Sequence, residues 1–188
     1  IPRSRDLALR QGDALARIGE DFGDPAGFEE AIVHFRRLLA GLDMRDDTVA
    51  WAAVQERLAR TLADLGQATG NEAQLTQALA CCRAALEDLR HDQAPLLWRA
   101  LKLRFARIAI PLAEAREDDA LLEEAISALA TALARWNRDG DEVRWLEAEQ
   151  LISRGRAALG RRTSDLALLE RAFNGFNRVA KTVNRQRE

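Results

Sequence analysis

Trp51, Trp98 and Trp145 stand forty-seven residues apart, and much of the remaining sequence keeps the same interval. Gly19, Gly66, Ala113 and Gly160 form one column, Ala31, Ala78, Ala125 and Ala172 a second, and Asp24, Asn71, Asp118 and Asp165 a third. This period divides the chain into about four units, residues 4–50, 51–97, 98–144 and 145–188. Units repeated at this length bury their apolar faces by stacking on one another. The repeat therefore predicts one elongated repeat domain, and the first residue, Ile1 in place of an initiator methionine, suggests a piece of a larger protein.

The second unit shows how one copy is built. Trp51, Val54, Gln55, Leu58, Ala59, Leu62, Leu65 and Gly66 recur at helical spacing and define helix A. After the polar stretch 66–70, Asn71 stands where an N-cap belongs, and Leu75, Ala78, Leu79, Cys82, Ala85, Leu86 and Leu89 define helix B. The matching positions Asp24, Asp118 and Asp165 also carry side chains that accept from exposed backbone N–H groups, and Pro25 occupies the favoured first helical position. Linkers between units carry Asp46, Asp47, Asp92, Pro95, Asp139, Gly140 and Asp141. The expectation is an all-α chain of eight helices in antiparallel pairs.

Leu58-Ala59, Leu62, Gly66, Ala78, Cys82 and Ala85-Leu86, with Ala125, Leu129 and Ala132-Leu133 in the third unit, resemble the tetratricopeptide repeat in a long bacterial-type variant. The small residues let two helices approach closely. The glycine usual in helix A stands only at Gly12, with Ala59, Ala106 and Ser153 at the other copies. HEAT and armadillo units have a similar length and remain the rival all-helical assignment. The resemblance implies an α-solenoid, a right-handed superhelix, whose function is to bind a protein or peptide rather than to catalyse.

Such stacks present successive A helices on a concave surface, and two arginine columns face away from the Leu58 stripe. One reads Arg10, Arg57, Arg104 and Leu151; the other reads Asp13, Arg60, Arg107 and Arg154. Arg60 has Glu56 and Asp64 one turn away and Arg10 has Asp6 and Asp13 nearby, whereas Arg104, Arg107 and Arg154 have no acid three or four residues away. The three are therefore the principal candidate anchors, with Arg57 and Arg60 as auxiliaries. Leu9, Ala100, Leu103, Ile110 and Leu151 are expected to line the same groove, which would suit an acidic or amphipathic peptide: arginines pair carboxylates and leucines receive aliphatic anchors. The bland reading makes these arginines a solvated helix face. Pro111 is expected to kink or end its helix beside Arg107, and the tryptophans are expected to seal the junctions between units.

Other chemistry finds little support. The formal net charge of −2 gives no whole-chain case for nucleic acid or acidic membranes, and the groove lacks aromatic stacking residues. His34 and His91 occupy nonequivalent positions without a nucleophile at catalytic spacing, and His34 is read as a surface side chain. No metal or cofactor is expected. Adjacent Cys81 and Cys82 suit neither a disulfide nor a zinc site and point to a reducing compartment, hence a cytoplasmic location. No run is long and apolar enough to cross a membrane. Self-association stays open as the alternative to peptide binding, because the first helix offers Leu7 and Leu9, while the last helix, with Asn174, Asn177, Arg178, Lys181 and Asn184, reads as polar enough to end the stack.

Overall fold

The computed structural model describes residues 2–136 and 141–185; the linker positions Asp139 and Gly140 lie outside the described residues. Among the described residues the chain is all-α, with eight helices: α1 (Pro2–Phe22), α2 (Pro25–Ala40), α3 (Thr48–Thr69), α4 (Glu72–Asp88), α5 (Pro95–Arg116), α6 (Asp119–Ala134), α7 (Glu142–Thr163) and α8 (Leu166–Arg185). Two compact units, Ile1–Arg104 and Phe105–Glu188, divide the chain, the boundary falling within α5.

The helix starts follow from local chemistry. Asp24 accepts from Ala26 N–H at 3.0 Å, Asn71 from Ala73 N–H at 3.0 Å, Asp118 from Leu121 N–H at 3.0 Å and Asp165 from Ala167 N–H at 2.9 Å, so the Asx column caps every B helix. Asp47 caps α3 through Ala50 N–H at 2.9 Å, and that hydrogen bond, with Arg5 beside it, holds its carboxyl below the usual carboxylate range. The residue before each of these four B-helix caps is left-handed: Gly23, Gly70, Glu117 and Ser164 have φ of 62°, 65°, 56° and 55°. Glycine adopts this conformation without a Cβ clash, whereas a side chain there costs about 1 kcal/mol. Replacing Ser164 with glycine is therefore expected to raise the unfolding free energy by about 0.5–1 kcal/mol, a shift that thermal denaturation would read.

In the first unit α1 and α2 run antiparallel, since Gly12 faces Phe35 and Gly19 faces Phe28. Added Cβ atoms would lie 2.5 Å and 2.7 Å from those rings, so the glycines are where the aromatic side chains fit. Helix α3 lies on α2 and pairs with α4, while α1 also touches α3. The buried side of α3 consists of Val54, Leu58, Thr61, Leu62 and Leu65, and that of α4 of Ala78, Leu79, Cys82 and Ala85. Burial pushes the Cys82 thiol well up and the Cys81 thiol up to about 11, so neither is a ready nucleophile at neutral pH. In the second unit α7 packs on α6 and α8. Gly155 of α7 leaves room for Ile126 of α6, whose Cγ1 would stand 3.1 Å from a Cβ there.

Several sequence expectations change. Pro111 does not end its helix: α5 continues to Arg116, held by Leu112 and Ala113, which are both buried. His34 is half-buried rather than a surface group, its Nε2 lying 2.7 Å from the Ala8 carbonyl oxygen. Helix α8 is not a polar cap, because Leu166, Phe173 and Phe176 are exposed along it. Leu7 is exposed as expected, whereas Leu9 is half-buried. Trp98 and Trp145 are buried and Trp51 is half-buried; the Trp98 ring meets His91 edge-on at 5.1 Å and carries Lys102 Nζ at 4.7 Å from its centroid.

Candidate functional site

The arginine columns form a set of ion pairs that tie each A helix to the next. In the first unit Asp13 of α1 accepts from both arginines of α3, from Arg57 Nε at 3.1 Å and from Arg60 Nη2 at 2.7 Å. Asp13 occupies the Arg60 column one unit back, so one acid in a column of arginines serves two cations. Arg104 donates from Nε and Nη2 to Glu56 Oε1 at 3.3 Å and 3.0 Å. Its side chain is 17% exposed and that of Glu56 14%, which makes this the most enclosed of the pairs. Asp64, nearby, is held above the ordinary carboxylate range by burial, with Arg104 pulling the other way.

In the second unit the pairing is reciprocal. Arg107 donates from Nε and Nη2 to the two carboxylate oxygens of Glu147, and Arg154 donates from Nε to Glu114 at 3.0 Å and 3.2 Å. Both pairs span forty residues, so the relevant parts of α5 and α7 are parallel. Arg107 and Glu114 on one helix, and Glu147 and Arg154 on the other, are each two turns apart, and opposite charges meet at both rungs. A one-turn slip would break both, so the charge pattern agrees with the register in which these helices lie. Arg162 adds contacts to Asp119 at 3.0 Å and to the Glu117 carbonyl oxygen.

The expected leucine lining is corrected. Leu103 and Ile110 are buried, not groove residues. Helix α5 buries Leu101, Leu103, Phe105, Ala106, Ile108, Ala109 and Ile110, most of its circumference, so its solvent face is narrower than an amphipathic stripe allows. Ile110 turns toward α7, where its Cδ1 would stand 3.4 Å from a Cβ at Gly155. Leu151 is half-buried on the same face of α7 as Glu147 and Arg154. Arg57, Arg60 and Arg104 come together with acids in the first unit, and Arg107, Leu151 and Arg154 in the second.

Of the five candidate arginines Arg57, Arg60, Arg104, Arg107 and Arg154, the last two keep the most solvent, their side chains 41% and 50% exposed. Each holds its glutamate side-on through Nε and Nη2, contacts that do not use the Nη1 donors. The partner acids of Arg104, Arg107 and Arg154 lie beyond one helical turn of each arginine. They stand about one repeat away, give or take two turns, on the neighbouring helix.

No described helix is long and apolar enough to cross a membrane. No family model matches the chain and no curated protein is similar to it. Among solved structures it is similar to one described as "DHF58 filament", at 18% identity over 97% of this chain and 93% of that one, with a TM-score of 0.49.

Proposed function

We propose that the chain is a non-catalytic protein-interaction module of the tetratricopeptide type, and that an acidic or amphipathic segment engages the face formed by Arg107, Leu151 and Arg154. The observation that carries this reading is the exposure of the two guanidinium groups on neighbouring parallel helices, with a half-buried leucine on the same stripe. Exposed ion pairs contribute only about 0–1 kcal/mol, so a partner carboxylate competes with Glu114 and Glu147 at little cost. The unused Nη1 donors give it a second point of attachment. Arg57, Arg60 and Arg104, more enclosed and already bound by Asp13 and Glu56, serve the fold.

The test is fluorescence anisotropy with a labelled acidic peptide carrying leucine and glutamate at helical spacing. Arg107→Glu combined with Arg154→Glu is expected to weaken binding at least about tenfold, about 1.4 kcal/mol, and to leave the helical circular dichroism intact. Added salt should weaken the parent's binding as well. Equal affinity of parent and variant, or no binding by the parent, would refute the reading.

A further inference from the structure

We infer that Arg156 of α7 and Arg171 of α8 form a binding site for a phosphate dianion, with Arg178 adding to its field and Glu149 holding Arg178 in place. This proposal does not rest on the peptide-binding reading.

The antiparallel pairing of α7 and α8 sets the geometry. Ser153 lies against Gly175, where a Cβ would overlap the Ser153 Oγ, so the two helices touch here. Glu149 Oε2 would stand 3.5 Å from that same Cβ, and it accepts from Arg178 Nη2 at 2.9 Å. The Glu149 side chain is only 9% exposed, and the ion pair compensates its burial. Seven residues along α7 from Glu149 stands Arg156, and seven residues back along α8 from Arg178 stands Arg171. Seven residues are about two turns, which returns each helix to the same face. Arg156 is therefore across from Arg171 as Glu149 is across from Arg178, but this second rung brings like charges together.

Nothing on the neighbouring turns relieves that rung. Among the described residues neither Arg156 nor Arg171 has an ion pair. Burial holds the Arg156 pKa below the ordinary arginine range; Glu149 opposes this, and Arg171 and Arg178 add to it. Three cations against one anion leave two positive charges uncompensated, which a phosphate dianion would neutralise. The repeat itself does not ask for this arrangement. The Arg156 column otherwise holds Leu15, Leu62 and Ala109, and the Arg171 column holds Glu30, Gln77 and Glu124. Leu62 is buried, so a half-buried arginine at the matching position carries a desolvation cost that the packing does not require. Perturbed, uncompensated groups of this kind mark binding sites.

The Arg171 face looks back toward α6. In the first unit the equivalent Gln77 accepts from Arg36 of the preceding B helix at 2.9 Å. The α6 residue at the Arg36 position is Ala130, whose side chain is too short to reach across and carries no charge. An anion between Arg156 and Arg171 takes that place, held by two planar guanidinium forks.

Nuclear magnetic resonance of the nitrogen-labelled protein, titrated with inorganic phosphate at constant ionic strength, tests this. The Nε–H signals of Arg156 and Arg171 should shift to saturation, more tightly at about pH 7.5 than at about pH 5, where phosphate is a monoanion. Arg156→Leu and Arg171→Gln install the residues that the second repeat carries at these positions. Each should weaken binding at least about tenfold while the helical circular dichroism is kept. Phosphate should raise the thermal midpoint of the parent and not of either variant. Arg10→Gln, which removes an exposed arginine of the first unit, should change neither readout. A parallel titration with glycerol 2-phosphate identifies the source: tighter binding than inorganic phosphate assigns the site to a phosphomonoester, weaker binding assigns it to the free ion, and either supports the proposal. Shifts that stay linear in phosphate, equal affinity at the two pH values, or a variant that binds as tightly as the parent would overturn it.

Discussion

Phe35→Ala is expected to lower the unfolding free energy by about 4 kcal/mol. The ring is fully buried and occupies the space left by the absent side chain of Gly12, 2.5 Å from where a Cβ would stand. Truncation leaves a ring-sized void facing a bare backbone, and a helix held between α1 and α3 collapses into it poorly. The reason gives a sharper test than the magnitude alone. Gly12→Ala should destabilise the parent, because its Cβ meets the ring, and should cost much less in the Phe35→Ala variant, where only His34 Cδ2 at 2.9 Å remains close and alanine favours the helix by about 1 kcal/mol over glycine. Urea titrations of the four proteins would show this difference. If Gly12→Ala had the same effect in both backgrounds, the two residues would not share the space assigned to them.

Arg104→Ala is expected to cost about 3 kcal/mol, against less than about 1 kcal/mol for Arg154→Ala. Both arginines bind a glutamate of a neighbouring A helix, and exposure separates them. The Arg104–Glu56 pair is largely enclosed, so removing the cation strands a carboxylate and also withdraws the charge that steadies Asp64. The pH dependence follows. Burial already raises the Asp64 carboxyl; without Arg104 it rises further, so the penalty is full at neutral pH and shrinks as acid protonates the group. Replacing Arg104 and Glu56 together with methionine and leucine should recover most of the loss. Equal costs at Arg104 and Arg154 would mean that enclosure does not distinguish the fold-bearing arginine from the surface one.

The forty-seven-residue interval made the helices legible because a repeat shows the same physical demand several times over. Four Asx caps in one column are hard to misread, and the capping hydrogen bonds are all present. The left-handed column was half hidden: Gly23 and Gly70 announce it, but Glu117 and Ser164 hold the same φ without the glycine that signals it. Size exchange between helices was hidden as well. Phe35 fills the space that Gly12 leaves, and nothing in the column Gly12, Ala59, Ala106 and Ser153 announces it. The arginines' partners are not legible within one helical turn, which shows only what a helix does to itself, because Asp13, Glu56, Glu114 and Glu147 reach across from adjacent A helices. Leu103 and Ile110 would line a groove only if α5 had one apolar side; α5 is buried on most of its surface.

The most direct measurement follows the arginine side chains themselves. In nuclear magnetic resonance of the nitrogen-labelled protein, titration with the acidic leucine–glutamate peptide should shift the Nε–H signals of Arg107 and Arg154 to saturation. Those of Arg57, Arg60 and Arg104 should stay in place. Saturable shifts confined to Arg107, Arg154 and the Leu151 region would support an interaction module that uses this face. Unmoved Arg107 and Arg154 signals, or equal shifts at all five arginines, would contradict it.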